Sequence, residues 1–269
     1  MNSLDKMLAI LDEFSESQLT IDVARAAERC GSSRASTYRY LQALTRAGLL
    51  TPSSGGTYTI GSRVIELEML KRENDPLLRA GRSLIRFSAE EMGLNIMLCS
   101  YYGDKVLCAD FAWPDHSIPE IYKQGRPMPI FRGAMAKVIL ANLSVPQLKT
   151  IYAHNSTLID ESALGSDLRI FLTKMGEIKS AGYCITHAEV FDGLVGVAAP
   201  VNDGEERVLG SVVFVVSRDR YNGNEPSFFI EQIKYISSEI ERRIQRDFGK
   251  GEATTMSAPR PGRAPVYKA

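Results

Sequence analysis

The sequence predicts an α+β chain, with an N-terminal winged helix-turn-helix and a C-terminal antiparallel sheet flanked by helices. Short helical patterns separated by a glycine come first, and two short strand patterns follow them. Beyond residue 76, apolar strand patterns alternate with longer helical ones. We expect a winged domain at 1–61, a linker helix at 62–75, a sheet domain at 76–249 and a disordered tail at 250–269.

Length and composition exclude several classes of protein. The 269 residues suffice for two ordinary domains, and no apolar run approaches the roughly 20 residues that cross a bilayer. The first residues lack a basic segment followed by an apolar one, and the 4 cysteines form no Cys-x-x-Cys pair. We therefore expect a cytoplasmic protein that does not enter a membrane.

Charge is unevenly distributed along the N-terminal region. The formal net charge is zero, with 32 basic and 32 acidic residues. The stretch from Arg29 to Arg46 nevertheless contains four arginines and no acid. A local basic patch attracts a polyanion even when the whole chain is neutral, so nucleic acid stays a candidate partner.

The N-terminal elements follow from capping and spacing. Ser3 can cap a first helix, whose buried stripe is either Leu4, Leu8, Leu11 and Phe14 or Met7, Ile10 and Phe14. Thr20 or Asp22 opens a second helix, and Gly31 is suited to the left-handed conformation at its end. Ser32 or Ser33 then caps a third helix that reaches about Ala47.

The third helix has the properties of a DNA-recognition helix. Its spacing buries Thr37, Leu41 and Leu44 and leaves the opposite face polar and basic. Arginine pairs with guanine edges, and hydroxyl groups reach phosphates or bases in the major groove. The predicted DNA-binding residues are Ser33, Arg34, Ala35, Ser36, Tyr38 and Arg39. The alternative is a helical bundle with a solvated basic face.

A hairpin after the third helix completes the expected winged domain. Residues 49–51 and 57–60 have strand character, and the segment 52–56 between them is rich in proline, serine and glycine.

Four segments in this order resemble the IclR family of bacterial transcription regulators. In the N-terminal part they are residues 31–44 with 47–50, and the wing sequence Tyr-Thr-Ile-Gly at 58–61. In the C-terminal part they are the run from Gly-Arg-Pro-Met-Pro at 125–129 to Lys137, and residues 181–183 with 192–201. The resemblance covers about residues 3–247. It implies a GAF-like C-terminal domain that binds a small effector.

Three departures from the family pattern leave the identity of the ligand open. Ala136 stands where the family commonly has glycine before the lysine, and Phe131-Arg132 replaces a small or His-Ala pair. Thr-His-Ala-Glu at 186–189 replaces an acidic Asp-Asp-x-Glu stretch.

The C-terminal part has a mixed pattern of helices and strands. A helix after Asn74-Asp75-Pro76 carries Leu77, Leu78, Leu84, Ile85 and Phe87 and ends near Gly93. Strands are predicted at 94–102, 105–111, 118–123, 182–187, 195–201 and 208–217, with a hairpin turn at Gly103-Asp104. Further helices are predicted at 133–142, 146–152, 167–181 and 227–248.

The resemblance places an effector pocket beside Ala134 and Met135, at the start of a helix. Backbone N–H groups at a helix N-terminus favour an anion, which suggests a small carboxylic acid or a semialdehyde. Trp113 is a candidate cover for the opening. The predicted effector-binding residues are Ile118, Glu120, Tyr122, Phe131, Ala134, Met135, Thr186, Leu194, Gly196, Val213 and Phe214. For each of them, ordinary core packing is the alternative.

Catalytic and metal sites are not expected. The chain has 3 histidines and neither a Gly-x-Ser-x-Gly motif nor a phosphate-binding glycine loop with lysine. Cys99 and Cys108 can meet across a hairpin, but buried cysteines are commonly small core residues. Cys184 and His187 lie three apart on one predicted strand and so face opposite sides. We expect no enzyme, no cofactor and no metal.

These features together suggest a repressor of a catabolic operon that a small organic acid releases from double-stranded operator DNA. A homodimer or a dimer of dimers fits two half-sites. Two alternatives stay open: a ligand-dependent activator, and a metabolite-binding protein whose N-terminal domain binds a protein partner.

Overall fold

The chain divides into two units, with the division between Asn74 and Asp75. A computed structural model describes residues 2–102, 105–120, 122–205 and 207–248. The predicted hairpin turn at Gly103-Asp104 and the predicted tail at 250–269 lie outside the described residues.

The first helical segment of the N-terminal unit differs from its prediction at the cap and follows the second of the two predicted stripes. Asn2, not Ser3, is the cap, because its side chain accepts hydrogen bonds from the N–H groups of residues 4 and 5. Ile10 is fully buried whereas Leu4 is 66% exposed, so the inner stripe is the one with Met7, Ile10 and Phe14. The elements are α1 (Ser3–Leu8), a 3₁₀ helix (Ala9–Glu13), α2 (Val23–Cys30) and α3 (Arg34–Arg46).

A tight turn joins α2 to α3 and makes the helix-turn-helix. Asp22 caps α2, and Gly31 ends it with φ +53°, in the left-handed region that glycine adopts without a side-chain clash. Ser33 caps α3 through the N–H of Ser36. The buried residues of α3 are Thr37, Leu41 and Leu44, as the spacing predicted.

Two short antiparallel strands follow, β1 (Leu50–Pro52) and β2 (Tyr58–Ile60), with Thr51 opposite Thr59. Backbone hydrogen bonds between Ile21 and Tyr58, of 3.0 and 2.7 Å, attach this wing to the segment before α2. Helix α4 (Arg63–Asn74) comes next, begins close to the predicted start and has no buried residue.

The C-terminal unit is built on a six-stranded antiparallel sheet in the order β5-β4-β3-β8-β7-β6. Its strands are β3 (Asn95–Tyr102), β4 (Lys105–Ala112), β5 (Pro127–Met128), β6 (Cys184–His187), β7 (Leu194–Asn202) and β8 (Val208–Ser217). Each predicted strand has a counterpart here except the one at 118–123.

Helices cover both faces of this sheet. Helices α5 (Pro76–Met92) and α10 (Pro226–Phe248) pack on one face, and α6 (Ala134–Ala141) packs on the other with α8 (Leu168–Ala181) behind it. Helix α7 (Val145–Glu161) packs on α8 and is longer than predicted, and α9 (Arg218–Asn222) was not predicted. Alternate side chains of each central strand therefore enter two separate cores.

The described residues of 118–123 form no strand, which corrects the prediction. Proline at 119 has no N–H to give to a sheet. Instead, the Trp113 indole N–H donates to the Ile118 carbonyl at 2.8 Å, and the Tyr122 ring meets the Trp113 ring at 5.9 Å between centroids. The segment is thus a loop held by aromatic packing.

Two apolar residues of the C-terminal unit lie elsewhere than expected. Phe87 belongs to α5 but is 66% exposed, because it points away from the sheet. Trp113 is buried between Phe111 and Tyr122, so it is a core residue and not a cover. The described helices include none that is both long and apolar enough to span a bilayer.

Candidate functional site

The exposed face of α3 is the first candidate surface. Ser33, Arg34, Ala35, Tyr38 and Arg39 are exposed, and Ser36 is half-buried. The Arg39 guanidinium donates to the Ser36 hydroxyl at 3.3 Å, which holds both side chains over the first turn. All six predicted residues therefore lie together on one helix end that is open to a partner.

The basic patch around α3 is narrower than the sequence suggested. Arg29, at the end of α2, forms ion pairs with Asp12 at 3.5 Å and Glu13 at 3.3 Å. Arg34, Arg39 and Arg46, by contrast, form no ion pair within the part of the chain that the structure describes. The positive charge that no described acidic residue pairs therefore lies on these arginines of α3 and on Lys6, whose ammonium donates to the Gly31 carbonyl at 3.0 Å.

Glycine 61, which ends the wing motif, has a packing role. A Cβ atom built on Gly61 would lie 2.1 Å from the carbonyl oxygen of Gly48. Its own N–H donates to the Leu49 carbonyl at 2.9 Å. Only glycine permits this approach, which fixes the end of the wing against the turn after α3.

The second candidate site is a cavity, partly open to solvent, in the C-terminal unit. The cavity lies between the start of α6 and strands β7 and β8. The residues that line it are Met97, Tyr122, Gly133, Ala134, Met135, Thr186, Glu189, Val190, Phe191, Leu194, Val195, Gly196, Val213 and Val215.

The predicted effector-binding residues divide into two groups. The ones that line the cavity are Tyr122, Ala134, Met135, Thr186, Leu194, Gly196 and Val213. Ile118 and Phe131 are buried beside it in the same core, and Glu120 is exposed. Phe214 was misplaced, because it follows Val213 on a strand and therefore enters the core on the opposite face, against α5 and α10.

Side chains from β6 and the segment after it meet the start of α6. The Ala134 N–H donates to the Thr186 hydroxyl oxygen at 3.1 Å, and the Gly133 N–H donates to the Glu189 carboxylate at 2.9 Å. The Lys137 ammonium, only 8% exposed, pairs with the other oxygen of Glu189 at 2.5 Å. The helix end therefore already holds one carboxylate.

Sequence reasoning missed seven of the lining residues: Met97, Gly133, Glu189, Val190, Phe191, Val195 and Val215. Glu189 contacts Gly133 across 56 positions of sequence, so no local periodicity connects them. The available signal was the family pattern, since Glu189 keeps the last acid of the stretch at 186–189 and Lys137 keeps the family lysine.

The cysteines of this unit are core residues. Cys99 lies opposite Cys108 on neighbouring strands, as predicted, and both are fully buried. Burial raises the pKa of the Cys108 thiol to about 12 and that of Cys184 to about 11. Among the described residues, no three side chains of histidine, cysteine or acid converge on a point where a metal ion would bind.

Comparison with known proteins identifies the family. The family model for the IclR helix-turn-helix domain matches residues 3–54, and that for the bacterial transcriptional regulator IclR C-terminal domain matches residues 77–242. The chain belongs to the IclR family. IclR-family proteins are DNA-binding transcription regulators, so the helix-turn-helix is the DNA-binding part of this one.

Relatives and solved structures agree with the family. The Pca regulon regulatory protein of Pseudomonas putida is 22% identical over 213 residues, which cover 79% of this chain and 73% of the relative. An IclR transcriptional regulator from Silicibacter sp. TM1040 has a TM-score of 0.77 at 18% identity, covering 90% and 96% of the two chains. An IclR homolog from Microbacterium hydrocarbonoxydans, solved in complex with 4-hydroxybenzoate, has a TM-score of 0.68 at 15% identity, covering 91% and 100%.

Within the IclR fold, the two candidate sites belong to different units. Helix α3 lies in the N-terminal unit, and the cavity lies in the C-terminal one.

Proposed function

We propose that this IclR-family regulator represses a catabolic operon and is released from its operator by a small organic acid. The observation that carries the proposal is the cavity at the start of α6, whose largely apolar walls include Glu189, the carboxylate that pairs with the Gly133 N–H and the Lys137 ammonium. Such a site suits a carboxylate attached to a small apolar body. The 4-hydroxybenzoate bound to the Microbacterium homolog supports an acid of this kind.

DNA binding is assigned to the exposed end of α3. Arg34 and Arg39 carry uncompensated charge, and Ser33, Ser36 and Tyr38 add hydroxyl groups beside them. In a helix-turn-helix the first residues of the second helix reach base edges in the major groove, while neighbouring cations contact phosphates. We assign Arg34 and Arg39 to the contacts that contribute most affinity.

The exposed apolar surface of α4 supports a homodimer or a dimer of dimers. This helix buries none of its residues within the chain, although it carries Val64, Ile65, Leu67, Met69 and Leu70. A second copy of the same helix would cover these side chains and set the spacing of two half-sites. Ligand binding then shifts the population between arrangements that fit or do not fit the operator.

A footprint on the DNA that flanks the protein's own gene tests the proposal. We expect two protected half-sites on neighbouring turns of the duplex, and loss of protection when one acid of a panel that includes 4-hydroxybenzoate is added. Stronger protection with the acid would instead indicate the ligand-dependent activator.

A second outcome bears on the function of the N-terminal unit. If the protein binds neither heparin nor duplex DNA at low salt, the surface of α3 serves a protein partner and the operator proposal is wrong.

A further inference from the structure

A carboxylate of the chain itself, that of Glu189, occupies the place at the start of α6 where an anionic ligand is expected. Glu189 accepts the Gly133 N–H at 2.9 Å with one oxygen and the Lys137 ammonium at 2.5 Å with the other. Both Gly133 and Glu189 line the cavity. The positive end of α6 is thus already neutralised before any ligand arrives.

The two partners of this ion pair differ in how firmly they are held. Lys137 is 8% exposed and belongs to α6, all eight residues of which are buried. A buried ammonium needs a counter-ion, since an unpaired charge in that place is strongly unfavourable. Glu189, whose side chain is 30% exposed, lies outside the regular elements, between β6 and β7. The cation is therefore fixed, whereas the anion reaches solvent and is exchangeable.

The segment that carries Glu189 is under backbone strain. Ala188 has φ +54°, in the left-handed region that is unfavourable for alanine. Phe191, three positions further on, is 46% exposed although it lines the cavity. Release of the Glu189 carboxylate would let this segment, 188–193, relax.

We propose that Glu189 is a tethered competitor of the effector, and that the effector's carboxylate replaces it on Lys137 and the Gly133 N–H. The apolar remainder of the ligand then packs against Met97, Leu194 and Val213. The displaced segment 188–193 changes position and carries the signal of occupancy. This inference rests on the proposed small-acid function and adds the ligand's anchoring group and the group that it displaces.

The exchange has a consequence for ligand choice. A carboxylate restores the counter-ion of Lys137, whereas a neutral amide of the same shape does not. Neutral analogues therefore leave the Glu189 pair intact and cannot displace it. The pocket selects small monocarboxylates over their amides.

Acetate rescue of a Glu189 variant tests this proposal without knowledge of the natural ligand. Glu189→Ala leaves Lys137 and the Gly133 N–H without their carboxylate. We expect the Tm of the full-length variant to rise by about 3 °C when acetate, at constant ionic strength, is at ten times its Kd. Acetamide should have no such effect. Glu189→Gln, which keeps the side-chain volume, should respond to acetate in the same direction.

Two controls define the result. Asp192→Ala removes an exposed carboxylate from the same segment and should respond to acetate no more than the wild type does. The double variant Glu189→Ala/Lys137→Met should lose the response, because the fixed cation is gone. An acetate response equal to that of the wild type in both Glu189 variants, or one that persists in the double variant, overturns the proposal.

A panel of small acids on the wild-type protein separates this inference from the proposed function. If an acid raises the wild-type Tm and releases DNA but acetate does not stabilise the Glu189 variants, the replacement of Glu189 by the effector is wrong and the small-acid function stands. Acetate rescue without any wild-type response to the panel overturns both the exchange with an effector and the small-acid function.

Discussion

The hydroxyl oxygen of Thr186 accepts a hydrogen bond from the backbone N–H of Ala134 at 3.1 Å, and this bond joins strand β6 to the first turn of α6. Both residues are buried, with Ala134 at 0% and Thr186 at 6% exposure. The bond therefore fixes the position of the helix end that faces the cavity.

Thr186→Val should lower the free energy of unfolding by about 1–3 kcal/mol, since valine keeps the shape and leaves a buried N–H without an acceptor. Urea denaturation measures the change. Thr173→Val is the matched control, because Thr173 is exposed on α8 and donates only to a carbonyl of its own helix. Equal effects of the two substitutions would mean that the Thr186 bond contributes nothing specific.

We expect Arg34→Ala and Arg39→Ala to weaken binding to the operator. An arginine that contacts a base should contribute about 1–3 kcal/mol to binding, and one that contacts a phosphate should add to the salt dependence of the affinity. Titrations at several salt concentrations separate these two effects. Arg29→Ala is the control, because Asp12 and Glu13 already neutralise that arginine. Unchanged affinity and salt slope in both α3 variants would assign recognition to another surface.

Substitution of alanine for two glycines of the C-terminal unit should change the stability of the protein in opposite directions. A Cβ on Gly210 of β8 would lie 2.0 Å from the Cys99 carbonyl oxygen, so Gly210→Ala should destabilise the protein by at least about 2 kcal/mol. Gly176 of α8 has open space around it, and Gly176→Ala should stabilise by about 1 kcal/mol through helix propensity. Thermal unfolding of both variants tests the pair, and a stabilising Gly210→Ala would contradict the close approach of β3 and β8.

Stability should fall in acid through Glu239 on α10. Hydrogen bonds from Arg242 and Arg243 lower the pKa of Glu239 to about 2, and Arg243 also donates to the Ala80 carbonyl on α5 at 3.4 Å. Because the folded-state pKa lies below the ordinary value, this contribution is present above about pH 4.5 and is lost as the pH falls towards 2.

Glu239→Gln should therefore flatten the decline of unfolding free energy between about pH 5 and pH 3. Urea denaturation at each pH gives the two curves. Glu231→Gln changes an exposed residue of the same helix and should reproduce the wild-type decline. Parallel curves for the wild type and Glu239→Gln would show that the arginine contacts do not form in solution.

The helix-turn-helix was predictable because its signals are local. Asp22 and Ser33 lie at helix starts and Gly31 at a helix end, and the spacing of Thr37, Leu41 and Leu44 alone gives the buried face of α3. No comparable signal distinguishes Val213 from Phe214, because β8 is apolar on both faces. Which of the two enters the cavity depends on the helices packed on each side of the sheet.

The principal omission, Glu189, has a related cause. Its contacts with Gly133 and Lys137 join segments more than fifty positions apart. The prediction of a strand at 118–123 was wrong for a different reason. The segment contacts Trp113, through the Ile118 carbonyl and the Tyr122 ring, and does not pair with a strand. The local sequence pattern predicts the helices and strands, whereas the cavity forms between helices and strands that are distant in the sequence.

The pairing of Arg29 with Asp12 and Glu13 has an effect on encounter with DNA. With these charges cancelled, the arginines of α3 that form no ion pair among the described residues are Arg34 and Arg39 near its start and Arg46 in its last turn. Positive charge is therefore concentrated on this helix, although the whole chain has no net charge. A duplex that approaches α3 is attracted by this charge, so we expect its association to be faster at low ionic strength.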